Sequence, residues 1–430
     1  MTDEQISQLG PAFVEYLGGY RGCFVTDSTA GHFDTLCRGL LSDLPRKSVE
    51  PIALASGTDE RTLQLFLSYS KWDHGRARDL LQRRVAAELA SIPADDLGTV
   101  GVIDETSAVK KGTKTPGVRR QYLGCVGKID NGIVTVHVGV AKGSYQTLVE
   151  AELYLPQEWT KDRKRCRAAG IPDDLSFRQK WKIALDELVR MRGQGLHCDW
   201  LVFDEGYGAM VPMLTVLNVM RQRFVGEVPV NFAVRVGDNG VSRRADQVLT
   251  AHDAKQSQRI TVKRETVRDA VWRVAERAVT VDEQRYRLLV MINEETAEVK
   301  YWITNARDQP LDRIVRAAFR RATIEHGFRV AKTELGLTHF EGRSYVGLMR
   351  HLILSLVVMG FVAEHTHRLR GKKHVGPRHP RTGLPNADRR PRRDDPSPSR
   401  HVHHSTHRSR HPLPPTSQCR RHEITQKTAA

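Results

Sequence analysis

Two short apolar runs in this chain each stop at a carboxylate: Val100-Gly-Val-Ile-Asp104 and Leu201-Val-Phe-Asp204. Runs of this kind suit β-strands buried on both faces, which occur in sheets covered by helices. Laid side by side, two such strands would deliver both acids to one edge of a sheet. A third acid, Glu325, lies in a helical run near the end of the patterned chain. A helix packed on the sheet would add it to the other two and complete an oxygen-rich pocket.

The rest of the pattern gives this sheet its surroundings. Residues 1–95 read as helical, with apolar positions at three- and four-residue steps over Leu36–Leu44, Glu60–Ser68 and Gly75–Ala90. From Leu97 the period changes to that of strands: Thr99–Asp104, Gln121–Lys128, Ile133–Ala141 and Leu148–Leu155. Asp130-Asn-Gly132 sits between two β-rich runs and predicts a hairpin turn. A helix is expected over Phe177–Arg192, a strand at Trp200–Phe203, a helix near Met210–Arg223 and a strand at Asn231–Val236. Arg259–Val262, Ala270–Val279, Tyr286–Ile292 and Glu298–Thr304 read as strands, the last two forming a hairpin. Helix returns from Leu311 to about Arg368, broken near Gly336. The fold class is therefore α/β: a mixed sheet flanked by helices. Its expected parts are a helical N-terminal domain (1–95), a core split over 96–237 and 306–368, a β-rich insertion (238–305) and a tail (369–430).

Charge narrows the choice of partners. The formal net charge is +17, which favours an anionic partner, nucleic acid first. From Arg368 onward there are 16 basic and 4 acidic residues, so +12 resides in the tail and +5 remains for residues 1–367. That tail also holds 9 of the 19 prolines, a composition that buries no core and predicts disorder. The six cysteines show no paired spacing, which argues against a zinc finger or a disulfide framework and for a reducing cytoplasm. The acidic start has no apolar h-region, so no secretory signal is expected. Leu352–Ala363, the longest apolar run, is too short to span a bilayer and suits a core helix. No membrane association is expected.

Carboxylates from separate elements match what phosphodiester cleavage demands. Two divalent cations about 4 Å apart clamp the attacking and departing oxygens, and Mg2+ takes hard oxygen ligands and few protein carboxylates. Ile103-Asp-Glu-Thr-Ser-Ala-Val-Lys-Lys-Gly112, Gln121-Tyr-Leu-Gly124, Phe203-Asp-Glu-Gly-Tyr-Gly208 and Ile324–Leu337 together resemble insertion-sequence transposases of the DDE endonuclease superfamily. The last segment is similar to that group's signature of Arg, three residues, Glu, six residues and Lys, here Arg321, Glu325 and Lys332. The resemblance covers roughly residues 30 to 365.

It implies an RNase H-like core that cuts element ends and joins the 3′-OH to target DNA, with Mg2+ as cofactor and Mn2+ as a substitute. By match, Asp104 and Asp204 are metal ligands, and Glu325 is the third ligand or a water-orienting base. Glu334, on the same helical stretch, is the rival for the third position. Lys332 shares a helical face with Glu325 and is placed to neutralise a phosphate; Arg321 is placed to orient Glu325 or hold phosphate. Lys110, Lys111, Lys114, Arg119 and Arg120 follow the first acid and read as phosphate contacts. Arg343, Tyr345, Arg350 and His351 are expected to line the same groove.

The implied partner is double-stranded DNA, both terminal inverted repeats and target, in the bacterial cytoplasm at the nucleoid. A homodimer fits the need to hold two element ends. Two departures stand out. The signature's aromatic, three residues before its Arg, is Ala318 here, with Phe319 one position off, and the low-complexity tail replaces a helical ending. Two other readings thus stand beside the transposase: an impaired relic that only binds DNA, and an RNase H-like nuclease without strand transfer.

Overall fold

The computed structural model describes residues 9–93, 95–237, 240–262 and 269–373. Of the tail expected to be disordered (369–430), residues 369–373 continue the last helix instead, and the rest lies outside the described residues. The described chain opens with helices α1 (Leu9–Gly18), α2 (Asp27–Leu41), α3 (Val49–Ser56), α4 (Glu60–Ser68) and α5 (His74–Ser91). Local chemistry starts three of them: side chains of Thr26, Asp59 and Asp73 accept from the backbone N–H of Thr29, Thr62 and Arg76. Each cap pairs a donor that the first helical turn leaves free.

Strands β1 (Val100–Val109), β2 (Arg119–Leu123), β3 (Lys128–Lys142) and β4 (Tyr145–Leu153) follow. Helix α6 (Lys180–Gly193) then leads to β5 (Trp200–Phe203), helix α7 (Val211–Val219) and β6 (Phe224–Val228). A two-stranded ribbon, β7 (Ala233–Val234) with β8 (Arg243–Arg244), precedes β9 (Gln258–Val262), β10 (Ala270–Val281), β11 (Gln284–Asn293) and β12 (Val299–Thr304). Helices α8 (Leu311–Phe319), α9 (Arg321–Thr333) and α10 (Tyr345–Lys373) close the described chain.

The result is the expected mixed α/β architecture. One ten-stranded sheet runs in the order β2-β3-β1-β5-β6-β12-β11-β10-β9, with β4 paired to β3. Pairings β1–β5 and β5–β6 are parallel, and the others in this sheet are antiparallel. The β-rich insertion before Glu325 is present and joins the same sheet through β12 and β6, so it widens the platform under the site.

Two local expectations are corrected. Asp130, Asn131 and Gly132 lie within β3, paired opposite Gln121, Arg120 and Arg119, and do not form the turn. The chain reverses at 124–127 instead, where Val126 and Gly127 N–H donate to the Leu123 carbonyl and Gly127 adopts φ +64°. Asn131 instead ties down the loop after β1, its Nδ2 donating to the carbonyls of Lys110 and Gly112. Gly132 is needed for close approach, since a Cβ there would lie 2.4 Å from the Ala108 carbonyl oxygen. The strand expected at Asn231–Val236 shrinks to the two residues of β7. Its place in the sheet is taken by β6, a strand that the Gly and Glu in Phe224-Val-Gly-Glu-Val228 disguise.

The apolar run expected as a core helix forms the middle of α10. By length and composition Tyr345–Arg370 could cross a membrane, but 83% of its most apolar window is buried inside this fold. Helix α10 packs on β4, α5, α2 and α4. Tyr16 Oη donates to the Val357 carbonyl at 2.9 Å, and Arg84 forks onto Glu364 at 2.8 and 3.0 Å. Trp72, Trp159, Trp200 and Trp272 are buried as core anchors.

Helix α9 is seated by a glycine. Gly139, at an irregularity in the β3–β4 pairing, faces Ile324: a Cβ on Gly139 would lie 1.7 Å from Ile324 Cδ1 and 2.6 Å from Cγ1. The bare backbone lets the helix carrying Glu325 lie close to the sheet. Gly139→Val is expected to overpack this contact and cost about 1–3 kcal/mol, read as a lower urea midpoint at unchanged slope.

Candidate active site

Parallel pairing sets Ile103 opposite Phe203, so the next residue of each strand, Asp104 and Asp204, leaves the sheet at the same level. The two strands then part ways. β1 continues to Val109, with Asp104 opposite His137 on β3, so Asp104 is mid-strand and not strand-terminal as the sequence suggested. β5 ends at Phe203, and Asp204 caps the one-turn helix Glu205–Gly208, its Oδ1 accepting from Tyr207 N–H at 3.2 Å. The cap orients the carboxylate.

Arg321, the first residue of α9, reaches down to this edge. Its guanidinium lies 3.5 Å from Asp104 Oδ2, 3.5 Å from Glu325 Oε1 and 4.0 Å from Glu227 Oε2. Burial opposes the Arg321 charge, but Asp104, Asp204, Glu325 and Glu227 outweigh it and raise its pKa. The arginine thus contacts two of the three expected acids, Asp104 and Glu325, and feels the charge of the third, Asp204. Glu227, on β6, is a fourth acid that sequence reasoning passed over; its Oε1 also accepts from Lys300 Nζ at 2.9 Å. The signal was present, since Phe224-Val-Gly-Glu repeats the pattern of an apolar run with glycine ending in an acid.

The Asp104 carboxyl carries the strain of this crowding. Burial first, with Asp204 and Glu325 in support, pushes it up to about 6; Arg321 and the Glu105 N–H, 2.8 Å from Oδ1, pull the other way. His137, opposite Asp104, is buried and held neutral: burial, then Lys332, brings its pKa down to about 3. Its Nε2 meets Thr135 Oγ1 at 2.7 Å, and its ring packs edge-on against Phe328 at 5.1 Å.

Lys332 lies two turns along α9 from Glu325, over the Phe328 ring. Burial lowers its pKa, with Cys125 and Asp104 opposing, so it sits within the field of the acid cluster. Glu334 does not join that cluster. It lies about 13 Å farther along the helix axis than Glu325, its carbonyl accepting from Lys47 Nζ and its Oε1 from Thr333 Oγ1 at 3.0 Å.

The basic residues divide into two groups. Arg46, Lys110, Lys111, Lys114, His339 and Arg343 line an open groove of ≈ 900 Å³ between the loop after β1 and residues 338–343. Lys110 helps build it, its Nζ donating to the Thr338 and Phe340 carbonyls at 3.2 and 2.6 Å. Arg119 stands apart on β2, paired with Glu158 at 2.9 Å. Arg350 and His351, expected beside Arg343, are buried elsewhere. Arg350 donates to the carbonyls of Phe66, Leu67, Ser70 and Trp72, and His351 meets the Gly336 carbonyl at 3.0 Å. Both sit on the inner face of α10, where they hold the fold together. Phe319, near the signature's displaced aromatic, packs on Trp272 at 4.9 Å.

Among the described residues no three His, Cys, Asp or Glu side chains stand close enough to hold a metal ion as they are. In kind, however, the cluster fits a hard divalent cation: its donors are all carboxylate oxygens, and it already accommodates a cation, the Arg321 guanidinium. Asp104, Asp204 and Glu325 are the residues that would hold the metal.

Asp104 in β1, Asp204 at the end of β5 and helix-borne Glu325 thus stand on a mixed sheet flanked by helices, with Arg321 among them. The sequence profile of the DDE superfamily endonucleases matches residues 20–287, and the chain belongs to that superfamily. The match takes in Asp104, Asp204 and Glu227 and stops short of Glu325. A probable transposase for insertion sequence element IS701 from Microchaete diplosiphon is 32% identical over 225 residues, 52% of this chain and 55% of that protein. The chain thus spans about half the length of this curated relative. Superfamily membership brings divalent-metal chemistry with it in general terms.

Because the Asp104 pKa is raised above an ordinary value near 4, its protonated form stabilises the fold. That contribution is full below pH ~4 and is lost as pH rises through 6. Asp104→Asn, permanently neutral, is expected to flatten this fall and make the chelator-treated protein more stable at pH 7.5, by up to about 3 kcal/mol. Urea melts of both proteins at pH 4, 6 and 7.5 measure it.

Proposed function

We propose that this protein is a DDE transposase that cuts DNA at insertion-sequence ends and joins the freed 3′-OH to target DNA. The observation that carries the reading is Arg321, which contacts helix-borne Glu325 and strand-borne Asp104 and lies in the field of Asp204 at the end of β5. In this reading Asp104, Asp204 and Glu325 hold Mg2+, with Mn2+ able to replace it. Metal bound there supplies an activated oxygen nucleophile and offsets charge on the departing oxygen.

The chain's own residues prepare that chemistry. Asp104 is ionised above about pH 6, and the Asp204 cap keeps its carboxylate aimed along the strand end. Lys332, beside the acids, is placed to face a phosphate next to the scissile bond. The groove lined by Lys111, Lys114 and Arg343 continues the cationic track away from the site, suited to the duplex flanking the cut. A homodimer would hold two element ends at once.

Asp104→Ala, Asp204→Ala or Glu325→Ala is expected to abolish Mg2+-dependent nicking of supercoiled plasmid carrying the element ends, while binding to those ends survives. Retained cutting by all three variants would refute the assignment. Cutting without joined products would identify a hydrolytic nuclease; binding without cutting by the wild type would identify a DNA-binding relic. Lys111→Ala and Arg343→Ala should each weaken binding to all duplexes and lower the salt dependence of log K by about 1, measured by fluorescence anisotropy from 50 to 200 mM KCl.

A further inference from the structure

Arg321 is held mainly by charge: its one hydrogen bond at the site, to Asp104 Oδ2, is long. Its contacts to Asp104, Glu325 and Glu227 lie at 3.5, 3.5 and 4.0 Å, at or beyond the outer limit of a hydrogen bond. No carboxylate is forked by it, and its Nε has no hydrogen-bond partner among the described residues. Arg84 shows the contrast, with two bonds to Glu364 at 2.8 and 3.0 Å. Arg321 is surrounded by negative charge yet left loose.

Glu227 differs from the other acids around Arg321. It already has a close cation, Lys300, at 2.9 Å, and it approaches Arg321 from β6, on the far side of β5 from Asp104. It therefore offers a place for the guanidinium that does not involve Asp104 or Glu325.

We propose that Arg321 is an exchangeable counter-cation. It fills the divalent-cation position between Asp104 and Glu325 until that position is needed, and Glu227 is the positioning residue that keeps it at the rim afterwards, facing DNA phosphate. The proposal rests on the metal-site reading above. Its consequence is a coupling: DNA phosphate that draws Arg321 outward frees Asp104 and Glu325, so DNA and divalent cation each favour binding of the other. Without DNA the guanidinium keeps the acids together and shields them, and the site stays idle.

The test is Mn2+ titration of the full-length, metal-free protein without DNA, with free Mn2+ read by its paramagnetic resonance. Arg321→Gln should bind Mn2+ at least about tenfold more tightly than wild type, since a unit charge at this distance is worth more than that factor even at intermediate dielectric. Arg321→Lys should stay near wild type. Glu227→Gln should bind several-fold more weakly, because Arg321 then depends on Asp104 and Glu325 alone. Adding a duplex oligonucleotide should tighten Mn2+ binding in the wild type and leave folded Arg321→Gln unchanged beyond the uptake of the DNA itself. Equal or weaker Mn2+ binding by Arg321→Gln, with the fold verified by circular dichroism, overturns the proposal. Asp104→Asn and Asp204→Asn separate the two readings: if they bind Mn2+ as the wild type does, the metal site itself is wrong.

Discussion

Parallel pairing of β1 with β5 is the constraint on which the rest depends. With Ile103 opposite Phe203, the two aspartates that follow emerge side by side, and a slip of one residue would turn one of them to the other face. The register is held by packing. Gly226 on β6 leaves room for the Phe203 ring, where a Cβ would lie 2.1 Å from Cε2, and Gly101 faces Cys198 and Leu201 with little space to spare. Glycines on neighbouring strands thus fix the level at which the acids leave the sheet.

The second dependence is on how helices meet that sheet. Helix α9 approaches over Gly139 and brings Arg321 and Glu325 to the acid edge, while its other end meets Lys47, between α2 and α3. Helix α10 lies between those helices and β4, with Arg350 collecting four backbone carbonyls from the segment around Phe66–Trp72. The N-terminal helices and the acid-bearing sheet are thus linked through one continuous core. Many of the cations on the N-terminal segment serve that core as well: Lys47 donates to three carbonyls, Arg78 pairs with Asp79, and Arg84 with Glu364.

Crowding acids in a half-buried edge is costly, and the structure shows how the cost is met. Asp104 shifts toward neutrality, Asp204 takes a helix N-terminus, Glu227 takes Lys300, and Arg321 stands among them all. Glu325, more than half exposed at 57%, remains largely hydrated. The site is therefore stable before any ligand arrives, and its charges are set to be redistributed when one does.

Much of this was legible along the chain. Trp200–Phe203 and Glu60–Ser68 were recognisable to the residue, because an unbroken apolar run and an amphipathic repeat are local signals. The acids Asp104, Asp204 and Glu325 could be named from their flanks, as could the apolar run that becomes α10. Other features follow from partners far away in the chain. Asn131-Gly132 looks like a turn until Lys110 and Ala108 come beside it; Arg350 and His351 look like groove residues until α10 turns them inward. Glu227 ends a run of the same pattern as the two aspartates, yet only the placing of β6 beside β5 brings it to Arg321. The residue types and the acids that end two apolar runs determined what chemistry this protein could host. Which carboxylates share one cation, and which cations are left for DNA, was decided only by long-range packing, because charge interactions depend on distances that sequence spacing does not set.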